Sequence, residues 1–170
     1  MITFDKDGET PLDDISGLKQ KHIKTRKQLD DAEAQNISKA YLLYTLDASQ
    51  TKKIVFDDRF LRRLHKEMFG DVWSWAGEYR TTQTTIGVEA RGIIMAMYQL
   101  GDDLKFWAAN WNYQDTATKL HHTLVKIHPF PNGNGRWARL ATDIWLLKNA
   151  HEPPKWGGDD EANTGYARDE

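Results

Sequence analysis

The chain of 170 residues has no cysteine. That excludes a disulfide framework and thiolate metal sites, and it is compatible with a reducing cytoplasm. An excess of one charge is lacking too: 23 Lys and Arg stand against 25 Asp and Glu, a formal net charge of −2. So even a balance exerts no general pull on nucleic acid or on an anionic membrane. No apolar run approaches the length of a bilayer span, and the first residues are charged, unlike a secretory signal. There is no internal repeat. Proline is scarce, and its five residues fall at boundaries: Pro11, Pro129, Pro131, Pro153 and Pro154. The expectation is one cytoplasmic domain with chain enough for a real core, and no direct nucleic-acid or membrane partner.

What is present is mostly helical patterning. Residues 1–24 are polar and weakly patterned, a surface arm in which Thr10-Pro11-Leu12-Asp13 reads as a turn or a short helical start. A helix follows from about Thr25 to Asp47, with Leu29, Ala32, Ile37, Ala40, Leu43 and Tyr44 as its apolar stripe. Glu33 and Asn36 fall on that stripe. Buried polar groups need partners, so Glu33 either faces a basic or donor-rich group or sits on a partly covered, solvated edge. Asp57 and Asp58 cap a helix to about Met68, with Phe60, Leu61, Leu64 and Met68 inward, His65 off the stripe as a surface histidine, and Gly70 at the C′ position. Trp73, Trp75 and Ala76 read as core.

Gly77 to Val88 is the one β-like stretch, rich in threonine, without a helical period and bounded by glycines. It predicts a hairpin: either an ordinary edge, or an exposed edge that takes up an extended peptide by its backbone. A helix over Ile93–Trp111 turns Ile93, Met97, Leu100, Leu104, Trp107 and Trp111 inward. Pro153 and Pro154 end the last helix, and the tail to Glu170 is polar and glycine-containing.

Chemically capable groups concentrate in one place, His128-Pro129-Phe130-Pro131-Asn132-Gly133-Asn134-Gly135-Arg136-Trp137-Ala138-Arg139. Ala117, Leu120, Leu124 and Ile127 recur at helical spacing, which puts His128 at a helix end. The two prolines stop that helix. Gly133-Asn134-Gly135 supplies a turn tolerant of positive φ, and Trp137, Leu140, Ala141, Ile144 and Leu147 begin a second helix. Its first N–H groups lack intrahelical partners and favour negative charge, and a Gly-Asn-Gly turn can curl N–H groups around a phosphate. Arg136 and Arg139 project from one side of that helix and suit a di- or triphosphate. His128 faces them across the turn with a pKa suited to accepting a proton. Arg139 and Asp143 form an i,i+4 pair, read as a rim salt bridge.

This segment resembles the signature of the Fic family, His-x-Phe-x-(Asp or Glu)-Gly-Asn-Gly-Arg-x-x-Arg, at every fixed position but one: Asn132 stands where a carboxylate is usual. The run from Thr10 to Arg136 is similar to the group called mobile mystery protein B, bacterial proteins associated with mobile elements and sometimes found beside a helix-turn-helix partner. The resemblance implies a mainly α fold: a helical bundle over residues 25–157, with a small β-hairpin flap at about 79–88 and the motif loop at 128–139. A polar tail, 158–170, follows.

It also implies transfer of AMP from ATP to a Ser, Thr or Tyr hydroxyl of a target protein. His128 would be the base, and Gly133, Asn134, Gly135, Arg136 and Arg139 would hold the phosphates. Thr84, Thr85, Ile86 and Gly87 would form the docking flap. Mg²⁺ (or Mn²⁺) would lie at the position of Asn132, and an antitoxin or regulator is an expected partner. Phe130 would pack beneath the loop. A neutral amide oxygen is a weaker ligand for this hard cation than a carboxylate. Glu33 would play the inhibitory role some members give a helix glutamate, with Arg139 as its partner, although Leu29 and Ala34 depart from the inhibitory pattern. Two other readings stay open: a phosphotransferase of the Doc type, and a weakly active or inactive nucleotide-binding interaction module.

Overall fold

The computed structural model describes residues 15–156. Expectations for Thr10–Asp13 and for the tail beyond Trp156 lie outside them. The described chain is helical: α1 Arg26–Thr45, the short α2 Ala48–Lys52, α3 Asp58–Phe69, α4 Ile93–Asn110, α5 Tyr113–Ile127 and α6 Asn134–Lys148, with a 3-10 turn Ala90–Gly92 leading into α4. Local chemistry sets the starts. The Thr25 hydroxyl accepts from the Gln28 N–H while the Gln28 side chain accepts from the Thr25 N–H, a closed capping box. Asp57 caps α3 by accepting from the Phe60 N–H, and Asn112 caps α5 by accepting from the Asp115 N–H.

The bundle is built around α6. Ten of its fifteen residues are buried, from Asn134 to Leu146, so this helix has no solvent face of any width. It packs against α5, α2, α3 and α1, and α1 lies along α3. Trp137 is fully buried and its indole N–H donates to the Leu61 carbonyl (2.9 Å), which fixes the first turn of α6 against α3. Residues 15–24 are no free arm. Lys19 N–H donates to the Val72 carbonyl, Ser74 N–H to the Gly17 carbonyl, and Ile23 is buried.

Several expectations need correction. Leu43 is exposed, 61%, and Trp111 is largely exposed while stacked on buried Trp107. Gly70 keeps a right-handed conformation, φ −71°. His65 is no surface histidine but fully buried: it stands four residues after Leu61 and four before Phe69, on the buried side of α3, and Phe130 stacks on it from the motif loop. No hairpin forms at 79–88. Among the described residues the one β-bridge joins Leu18 to Trp73. The carbonyls of Thr82 and Val88 are taken by the Arg80 guanidinium, and the Thr84 hydroxyl donates to the Ile86 carbonyl. Side chains therefore satisfy groups that a cross-strand ladder would have used.

Candidate active site

The motif loop runs from the C-terminus of α5 to the N-terminus of α6. His128 caps α5 in the left-handed conformation (φ 53°, ψ 59°), and Gly133 precedes α6 in the same region (φ 77°). The turn is thus one left-handed glycine, with Asn134 and Gly135 already helical. A Cβ on Gly133 would stand 2.4 Å from Phe69 Cζ, so glycine is required by space as well as by φ.

Every loop carbonyl from His128 to Asn132 except that of Pro131 accepts from a buried donor. Arg80 Nε donates to the His128 carbonyl (2.7 Å) and the Arg80 N–H to that of Pro129 (2.9 Å). Asn134 Nδ2 donates to the Phe130 carbonyl while its Oδ1 accepts from the Phe130 N–H, both at 2.9 Å. His65 Nε2 donates to the Asn132 carbonyl (3.0 Å), because its Nδ1 accepts from the Gly77 N–H (3.0 Å). Arg80, Asn134 and His65 are all buried, so these carbonyls face inward. Their negative ends are kept from the open side of the loop, and no side chain caps the first turn of α6. An anion meets N–H groups and the positive end of the helix there. Phe130 lies beneath as expected: fully buried, stacked on His65 (3.7 Å between centroids) and edge-on to Trp137.

Burial lowers the pKa of the His128 imidazole below its usual value, and the nearby Arg80 charge adds to this. The Val125 carbonyl opposes both without forming a full hydrogen bond to Nδ1. The ring is therefore neutral at neutral pH. Nδ1 is buried, which leaves Nε2 as the nitrogen able to meet a substrate. Gly87 (φ 103°) passes so close that a Cβ there would lie 2.7 Å from that of His128. Ile86 beside it is exposed, 58%, and the Val88 N–H donates to the Ile127 carbonyl. Of the flap residues singled out from sequence, Gly87 adjoins the histidine, and Thr84 to Ile86 form the outer rim.

The two motif arginines part company. Arg136 Nη1 meets Glu33 Oε2 at 2.7 Å, and its guanidinium lies 4.9 Å above the Phe69 ring. Glu33 is buried and accepts a second bond from Trp73 Nε1 (2.6 Å). The expected partner, Arg139, is corrected to Arg136: α1 reaches the first turn of α6 at the earlier arginine. Arg139 is half-buried one turn on, and Asp143 is buried, accepting from Trp156 Nε1. The sequence read these two residues as a surface or rim pair, but neither is a surface group. Asn132 is exposed and its Oδ1 accepts from the Gly133 N–H (2.7 Å). Among the described residues no three His, Asp or Glu side chains gather as a metal cluster. One neutral oxygen, already accepting, does not make a protein-held Mg²⁺ site.

Sequence reasoning passed over Arg80 and Phe69 and set His65 on the surface. The dipeptides Leu64-His65 and Tyr79-Arg80 carry no local signal for the loop, since the loop carbonyls that these side chains hold lie about 50 residues or more away in sequence.

The fold and loop define a Fic domain. The N-terminal Fic domain of the Bep8 protein from Bartonella sp. 1-1C superimposes with a TM-score of 0.63 at 19% identity, over 79% of this chain and 72% of that one. A Fic domain with bound ADP from Bartonella quintana gives 0.60 at 20%, over 85% and 74%. The Fic/DOC family model matches residues 55–146, and the chain belongs to that family. Protein adenylyltransferase Fic of Culex quinquefasciatus is 30% identical over 102 residues, 55% of this chain and 20% of the relative. The protein of that name from Drosophila willistoni is 27% identical over 114 residues, 64% and 23%. The chain thus spans less than a quarter of the length of these relatives.

Proposed function

We propose that this chain transfers AMP from ATP to a hydroxyl of a target protein. The observation that carries the reading is the juxtaposition of a neutral, half-buried His128 with the uncapped N-terminus of α6 across a loop whose carbonyls are turned inward. The names of the adenylyltransferase relatives and the ADP bound to a structural neighbour support the same choice of nucleotide. In the reaction, a Ser, Thr or Tyr oxygen of the target attacks the α-phosphorus. Its proton passes to His128 Nε2, the bond from the α-phosphorus to the bridging oxygen breaks, and pyrophosphate departs. N–H groups of Asn134 and Gly135 face the phosphates, with Arg139 beside them. The target lies along Thr84–Gly87. Any Mg²⁺ arrives on the ATP phosphates, and no step here is assigned to it. At rest Glu33 holds Arg136, and the nucleotide's phosphates must compete for that guanidinium, so basal transfer is low.

ATP labelled at the α-phosphate tests this. Label in protein is expected from the intact chain, and His128→Ala should lose transfer by ~10²–10⁴-fold, the usual contribution of a general base, while still binding ADP. Undiminished transfer by the variant removes His128 from the mechanism. Incorporation from the γ-phosphate instead would make the chain a phosphotransferase, and nucleotide binding with no incorporation would leave it an interaction module.

A further inference from the structure

We infer that His65 is a positioning residue: by pinning the Asn132 carbonyl it sets the left-handed Gly133 turn and so the aim of the first N–H groups of α6. The inference rests on the proposed nucleotide chemistry for its consequence, but not for its geometry. His65 lies outside the motif, on α3, and contacts no open surface. Its two nitrogens join three segments. Nδ1 receives the N–H of Gly77, a left-handed residue (φ 83°) in the turn that brings Arg80 under the loop. Nε2 donates to Asn132, the residue immediately before the Gly133 turn. The ring is stacked on Phe130 at 3.7 Å and lies tilted against Phe69 at 4.8 Å, and Phe69 is the same ring that a Cβ at Gly133 would strike.

Each neighbour fixes one degree of freedom of the imidazole. The rings fix its plane, the Gly77 N–H fixes which nitrogen carries the proton, and that leaves one donor direction, toward Asn132. Without that donor the peptide between Asn132 and Gly133 can rotate. A carbonyl could then swing to the open side, where it would oppose a phosphate rather than receive a proton donor. Arg80 and Asn134 hold the first half of the loop, at His128, Pro129 and Phe130. Among the described residues His65 is the one seen to hydrogen-bond its second half from another element.

Two substitutions separate positioning from packing. His65→Gln can keep a side-chain N–H near the site of Nε2, and His65→Asn can keep an acceptor near Nδ1 but cannot reach Asn132. Both lose the ring stack, so both should melt earlier. Among folded molecules, the Asn variant should transfer AMP with a turnover lowered roughly 10–100-fold, the scale of a small misplacement of reacting groups, with the Gln variant recovering most of it. In ¹⁵N-labelled protein the Gly133 and Gly135 amide resonances should shift in the Asn variant and return toward wild type in the Gln variant. Equal turnover and equal amide shifts in both variants would overturn the inference. If wild type transfers nothing, the functional reading fails, while the amide resonances still decide the role of His65.

Discussion

At the scale of single residues, the candidate site departs from its family signature at one position and pairs a motif arginine with a buried glutamate at another. Asn132 presents an amide oxygen already accepting from Gly133. Asn132→Asp would supply the charged oxygen a hard divalent cation prefers. The variant is expected to reach half-maximal transfer at lower Mg²⁺ and to turn over faster. Identical titrations in the two proteins would mean that this position never meets the metal. Glu33 binds both Arg136 and Trp73. Glu33→Gly takes the carboxylate from a half-buried guanidinium and a buried indole N–H and puts glycine inside α1, which should lower stability. It also frees Arg136 for phosphate. More AMP incorporated per folded molecule, despite an earlier melt, is the expected result. A variant that loses stability and gains nothing makes Glu33 purely structural.

At the scale of elements, the helices were legible because apolar side chains recur with the helical period and caps mark their starts. The flap was not. A threonine-rich run bounded by glycines has the composition of a hairpin, yet its backbone groups go to Arg80 and to its own side chains. Composition records a preference for extended backbone, not which groups will answer it. His65 was misplaced for another reason: a histidine adds nothing to an apolar stripe, although Leu61 and Phe69, four residues to either side, put it on the buried face of α3, and the stacked ring that completes its burial, Phe130, comes from the motif loop. The motif loop itself was read correctly as helix, turn, helix, although only Gly133 of the expected three-residue turn is left-handed. Gly133→Ala tests how much that glycine carries. The left-handed backbone alone costs roughly 1–2 kcal/mol for a residue with a Cβ, and Phe69 must also move. A lowered urea midpoint together with weakened ADP binding is expected. A change in midpoint alone would separate the turn from the anion site.

At the scale of the whole molecule, no described helix is long and apolar enough to cross a membrane, and the fold gathers about one central helix whose first turn is the candidate site. Burial pushes the His65 pKa down to about 3, with the Arg136 charge adding and the Asn132 carbonyl opposing. The unfolded chain protonates this residue near 6.5 and the folded one does not, so between those values unfolding takes up a proton. Stability from His65 is complete above about pH 6.5 and falls as pH drops toward 3, by at most ~1.4 kcal/mol per pH unit. Urea midpoints at pH 7.5 and 5.5 should therefore differ more in wild type than in His65→Gln, and equal differences would mean that His65 does not titrate this way. The flap, finally, is fastened chiefly by one buried guanidinium, one close-lying glycine and the Val88 N–H on the Ile127 carbonyl, instead of a ladder. For an engineer that makes residues 81–86 the interchangeable part of the molecule. With Arg80 and Gly87 left in place, another sequence can be spliced into the rim without rebuilding the cradle beneath it.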